Sequence, residues 1–203
     1  MARNPETTWE MLNVAMSHFQ NHIGSKTDRC SLSIVDLLHV SNFKGGNASI
    51  TEPVATLPEK LKHYESTLKE IQKSFDGKSL VNLNDGELEC LKDKCNTFLA
   101  LTEAQVSGIR GFGPSYASAL LAAHFPNLIP VLDRRALNGA KIKVVCDSQN
   151  QVKNIAKHYG DLIGAFRSEL KKRSGMTLRQ LDKCWFIKPL TRRSTGRAKT
   201  ARR

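Results

Sequence analysis

The sequence predicts an all-α protein. Three observations carry that expectation: apolar residues recur at helical spacing in segment after segment, capping residues stand at the segment starts, and strict alternation is confined to the short string KIKVV. Trp9, Leu12, Val14, Ala15, Met16, Phe19 and Ile23 fall on one face of a helix beginning after Thr7 or Thr8, and Ile34 to Phe43 reads as a second, shorter helix. A loop, GGNASITEPVATLP, follows. Pro58 then opens a charged helix whose stripe is Leu61, Tyr64, Leu68, Ile71 and Phe75. Asn84 or Asp85 caps the next, with Leu88, Leu91, Phe98 and Leu99 inward. Val106, Ile109 and Phe112, then Ala117, Leu120 and Leu121, mark two short helices about a Gly-x-Gly turn. KIKVV is open to a strand, an extended link or a helix start. Residues 148 to 172 read as one amphipathic helix with Val152, Ile155, Tyr159, Leu162, Ile163, Phe166 and Leu170 inward, and Thr177 caps a last helix, TLRQLDKCWF.

Composition narrows the class of protein. A chain of 203 residues with 40% hydrophobic and 25% charged content buries a sizeable core. No run approaches the roughly 18 apolar residues of a membrane span, and the start MARNPETTWEML lacks the apolar region of a secretory signal. The expectation is an intracellular protein, cytoplasmic and nucleoid-associated or elsewhere inside the cell, with no membrane contact and a monomeric state. Cys30, Cys90, Cys95, Cys146 and Cys184 form no CxxC pair, so neither a metal site nor a disulfide framework is indicated, and no cofactor is expected.

The net charge of +12 favours a polyanionic partner, and it is unevenly placed. Lys188, Arg192, Arg193, Arg197, Lys199, Arg202 and Arg203 supply seven of these charges, leaving +5 for residues 1–187. With no acidic residue and little apolar content, residues 188–203 are expected to form a disordered basic arm contacting DNA; a solubilising or targeting extension is the bland alternative.

The string VSGIRGFGPSYASALLAAHFPNLIPVLDRRAL concentrates the chemistry. Gly111 and Gly113 bracket a turn too tight for side chains, the helix-hairpin-helix pattern. Such a turn uncovers backbone N–H groups at the start of the following helix, where the dipole favours a phosphate. The same pattern serves merely to pack two helices. Asp133 likewise has two readings, an N-cap for RRALNGA and a carboxylate for catalysis. Arg134 and Arg135 follow it and suit either a phosphate or a salt bridge.

In this stretch the chain resembles the helix-hairpin-helix DNA glycosylase superfamily, in which the motif is followed by an apolar helix, a Pro-containing loop and an Asp opening the next helix. Those parts are GFG, ASALLAAHF, PNLIP and VLDRRAL here. LDRRAL and TLRQLDKCWF are most similar to the small 8-oxoguanine glycosylase-like proteins. The resemblance covers about residues 102 to 140. It implies a two-lobed helix-hairpin-helix glycosylase-like fold, with residues 1–100 giving helices to both lobes and 101–187 carrying the active face. It implies that Gly111, Phe112, Gly113, Ser115, Arg134 and Arg135 lie against duplex DNA and that Asp133 assists removal of a damaged base, 8-oxoguanine being one candidate, in base excision repair. Bifunctional members carry a Schiff-base Lys where this chain has Ser115, which implies a monofunctional hydrolase unless Lys141, Lys143 or Lys183 reaches the site. The four clustered C-terminal cysteines that hold an iron–sulfur group in some members are missing. Trp185 is a candidate for stacking on an extruded base, with Asp182 and Lys183 behind it and core packing as the plainer role. The competing classes are a noncatalytic DNA-binding module and a protein-interaction domain.

Overall fold

The computed structural model describes residues 4–46 and 49–189. They form eight α-helices: α1 (Pro5–Ser25), α2 (Ile34–Phe43), α3 (Leu57–Phe75), α4 (Asp85–Ala100), α5 (Pro114–His124), α6 (Arg134–Gly139), α7 (Tyr159–Lys172) and α8 (Leu178–Phe186). Single 3-10 turns at Leu80–Asn82 and Ile155–His158 precede α4 and α7. The all-helical expectation holds, and no strand forms among the described residues; KIKVV is an extended link that ends just before one isolated bridge, Cys146 to Val152. From residue 190 on, the basic tail lies outside the described residues.

Local chemistry sets the helix starts. The Asn4 side chain accepts the Glu6 N–H and Pro5 occupies the first turn, so α1 begins earlier than the threonines suggest. Ser33 with Asp36, Asn84 with Glu87, and Thr177 with Gln180 close reciprocal capping boxes on α2, α4 and α8. Each cap is worth about 1 kcal/mol.

One expected helix does not form and another is shortened. Between α4 and α5 the chain runs through turns rather than a helix, and Val106 is 71% exposed. The Ser107 hydroxyl donates to the Leu101 carbonyl and the Gly108 N–H to that of Ala104, so this segment folds back on the end of α4. The proposed helix over 148–172 begins only at Tyr159. Asn150 and Asn154 hold left-handed backbone, φ 61° and 50°, and the Asp147 carboxylate accepts the N–H groups of Gln149 and Gln151, so helical spacing upstream of Ile155 is overruled locally.

Helix α5 is the axis of the packing. Every residue from Ala117 to His124 is buried, as its mix of alanine, serine and leucine on all faces requires. Helices α1, α2 and α4 pack around it; α3 and α7 lie on α4, and α8 touches α1, α6 and α7. The core runs as one cluster from Ala15 to Trp185. Gly139 lets α6 meet α8, because a Cβ there would stand 2.3 Å from that of Trp185. Arg167 on α7 binds the Leu83 carbonyl and the Asp85 carboxylate at the start of α4.

Three hydroxyls fasten the Pro-rich loop after α5. Ser115 donates to the Leu132 carbonyl at 2.8 Å, Ser118 accepts the Leu132 N–H at 2.9 Å, and Tyr159 donates to the Pro130 carbonyl at 2.8 Å. Replacing Ser118 by Ala leaves the buried Leu132 N–H without that acceptor. The expected loss is about 1–3 kcal/mol in urea unfolding; a variant within about 0.5 kcal/mol of the parent removes this bond from the account of the loop.

Candidate functional site

The Gly-x-Gly turn is assembled from both sides. Gly111 has φ +86°, and a Cβ there would lie 2.0 Å from the Ser49 carbonyl oxygen, so only glycine admits this close approach of the 49–52 segment. The Thr51 N–H donates to the Arg110 carbonyl at 3.1 Å, and the Glu52 carboxylate accepts the Arg110 N–H at 3.1 Å. Lys60, Thr56 and that N–H hold the Glu52 carboxyl down to about 2, so it grips the turn as an anion. Lys60 also donates to the Gly108 carbonyl at 2.6 Å.

Gly113 differs from Gly111: its φ is −90° and the space beside it is open. It caps α5, Pro114 supplies no N–H, and the open edge of the turn is therefore at Gly113 and the α5 start. Phe112, expected at a DNA surface, is instead 2% exposed and packs edge-on to Tyr64 at 5.7 Å. Its ring anchors the turn to α3.

Asp133 caps α6, its carboxylate accepting the Ala136 N–H at 2.8 Å. Because Ser115 and Ser118 bind Leu132, the preceding residue, the hairpin helix and the carboxylate are held together. The Asp133 charge is also felt by a cluster that the sequence reading missed. Its field acts on Lys44 at the end of α2 and on Arg179 and Asp182 of α8. Burial pushes the Asp182 carboxyl up to about 7, with Arg179 and Lys44 opposing and Asp133 adding to the rise. Burial likewise lowers the Lys44 ammonium, against the pull of Asp133 and Asp182.

Arg179 is the hub of that cluster. It binds the Asp182 carboxylate at 2.7 Å and the Asn13 side-chain oxygen at 2.9 Å, and its guanidinium lies 3.9 Å from the Trp9 ring centroid and 5.5 Å from that of Phe43. Its Nη2 is buried and has no hydrogen-bond partner among the described residues. A cavity of about 190 Å³ opens here, bordered by Asn13, Gln20, Arg179 and Asp182 with Ile129 and Val131. The arrangement offers donors and acceptors in an apolar setting, with a carboxylate at its edge.

The remaining sequence candidates have structural work. Arg134 donates to the Asn150 carbonyl at 2.7 Å, and Arg135 to that of Phe186 at 2.8 Å while lying 4.6 Å from the Phe186 ring centroid. Trp185, the stacking candidate, is 3% exposed and packs on Phe166 at 4.3 Å, so it belongs to the core. Trp9 and Arg179 stand nearer the cavity; no local signal pairs residues so far apart in sequence. All five cysteines are free thiols, and no three metal-ligating side chains converge among the described residues. Among those residues no helix is long and apolar enough to cross a membrane. Comparison with protein-family models, curated proteins and solved structures finds no match to the chain.

The two glycines separate by substitution. Gly111→Ala meets backbone that cannot yield, and its strained φ alone costs on the order of 1 kcal/mol; Gly113→Ala fits its space and φ. Denaturation midpoints should fall for the first and barely move for the second, and equal losses contradict this account of the turn. A Gly113→Ala protein with unchanged melting then reads phosphate binding directly.

Proposed function

We propose that this protein is a two-lobed helix-hairpin-helix DNA glycosylase that removes a damaged base by hydrolysis. The observation that carries the reading is the tethering of Asp133 to α5 through Leu132, with its charge acting on Lys44, Arg179 and Asp182, the last two of which border a cavity where a guanidinium nitrogen is buried without a partner among the described residues. The resemblance over residues 102–140 points the same way.

In this reading the Gly113 edge and the N-terminus of α5 hold a backbone phosphate, and the target nucleotide rotates out of the stack. Asn13, Arg179 and Asp182 meet the edge of the base. The bond from C1′ to the base nitrogen breaks as positive charge gathers on the sugar; Asp133 stabilises that charge, water adds to C1′, and the base departs with a proton. An abasic site and a free base result. The test is a panel of duplexes carrying 8-oxoguanine, uracil and alkylated purines, resolved before and after alkali. On whichever lesion is cut, Asp133→Asn keeps the cap and the DNA affinity yet should lose at least about 100-fold in rate. Excision at the parental rate reduces Asp133 to a helix cap.

The Ser115 hydroxyl is committed to the Leu132 carbonyl and offers no amine, which supports a monofunctional enzyme. Lys44 favours a second reading, because it brings an amine of lowered basicity to the cluster around Asp133. Borohydride trapping on a cleavable lesion decides between them. A monofunctional enzyme gives no crosslink; a crosslink abolished by Lys44→Gln and retained in Ser115→Ala makes Lys44 the nucleophile.

A further inference from the structure

Residues 141–154 form a short arm along the surface of the fold, and the turn at Ile155–His158 seats its end against α4, α5 and α7. Lys141 takes φ 60°, the Ile142 N–H returns to the Leu137 carbonyl, and two antiparallel stretches pair through Lys153 N–H to Val145 O and Asp147 N–H to Gln151 O, both 2.9 Å. Ile142, Val144, Val152 and Ile155 pack against the core. Alternation then turns Lys141, Lys143 and Val145 outward, and the pairing of 145 with 153 puts Lys153 on the same side. Lys157 is exposed just beyond.

These four exposed lysines gather on one segment, and like Lys73, Lys171, Lys183 and Lys188 they enter no ion pair among the described residues. Lys26, Lys60, Lys62, Lys69, Lys78, Lys92, Lys94 and Lys172 each pair with a carboxylate, whereas no ion pair among the described residues involves Lys141, Lys143, Lys153 or Lys157. The single acid within 141–157 is Asp147, and its carboxylate is spent on the N–H groups of the tip. Arg134, next in sequence to Asp133, holds the tip through the Asn150 carbonyl. Unbalanced positive charge is thus fixed in place relative to Asp133, as a phosphate clamp requires.

We propose that the 141–157 segment is a duplex-DNA clamp, its lysines neutralising backbone phosphates beside the nucleotide presented to Asp133. This rests on the DNA reading above and adds the surface that fixes the duplex. The full-length chain with Lys141, Lys143, Lys153 and Lys157 all changed to Gln is titrated with fluorescent duplex over a range of salt. A control carries Gln at Lys62, Lys69, Lys92 and Lys172, which have carboxylate partners. The slope of log affinity against log salt should fall by up to about 3.6 in the arm variant, at roughly 0.9 per phosphate contact, and little in the control. Lys143→Gln alone, which touches only an exposed side chain, should lower it by about 1. A parent that binds duplex with salt dependence while both arm variants keep its slope overturns the clamp and leaves the glycosylase reading standing. A reduced slope in a protein that cuts no lesion supports the clamp and sinks the glycosylase reading. A parent without salt-dependent duplex binding overturns both.

Discussion

Two serine hydroxyls on α5 grip the backbone of a single residue, Leu132, and the rest of the candidate site depends on that grip. Ser115 and Ser118 lie on α5, which α1, α2 and α4 enclose, so their positions are set by close packing of the core. Through Leu132 they transmit that position to Asp133. The carboxylate then closes the first turn of α6, and α6 is pressed against α8 where Gly139 gives room to Trp185. Hairpin, loop, carboxylate and the last helix are therefore one mechanical unit. The Tyr159 hydroxyl, held by α7, fixes the same loop at Pro130, so the unit is tied to the opposite side of the core as well.

The hairpin illustrates how a motif is completed by sequence it does not contain. Gly-x-Gly predicts a tight turn, but the 49–52 segment explains why the first glycine is required, and Glu52 with Lys60 locks the turn to the start of α3. The carboxylate takes an N–H on the inner edge, leaving the edge at Gly113 for another partner. An internal anion on one side and open space on the other orient the turn, which the glycines alone do not do.

Legibility in the sequence followed the range of the interaction. The stripe of α3 and the capping boxes of α4 and α8 arise within a turn or two and could be read directly. Asp133 and Ser115 sit in one string, so their proximity was foreseeable. The broken helix over 148–172 was not, because spacing ignores the left-handed backbone at Asn150 and Asn154, which Asp147 and the bridge at Cys146 accompany. The resemblance implies DNA contact for Phe112 and offers Trp185 for base stacking, whereas their plainer role as apolar residues is the one the fold uses, at points where α3 and α7 pass. Arg179 was invisible: its partner Asn13 is 166 residues away and its aromatic neighbours come from α1 and α2.

The cluster of Lys44, Asp133, Arg179 and Asp182 is hard to explain as scaffolding. Removing charge from water costs several kcal/mol per ion, and buried ion pairs are commonly no more stabilising than apolar residues of the same shape. Asp182 is 3% exposed and resists ionisation, so the fold holds an acid that weakens its own pairing with Arg179. The guanidinium in turn buries Nη2 with no acceptor among the described residues, while Trp9 and Phe43 stack on the charge and hold it in place. A ligand that enters the adjoining cavity with an acceptor for Nη2 and a group for Asp182 converts each of these costs into binding energy. Under the proposed function that penalty would act as a filter, since a molecule lacking those groups leaves the buried polar atoms unpaired.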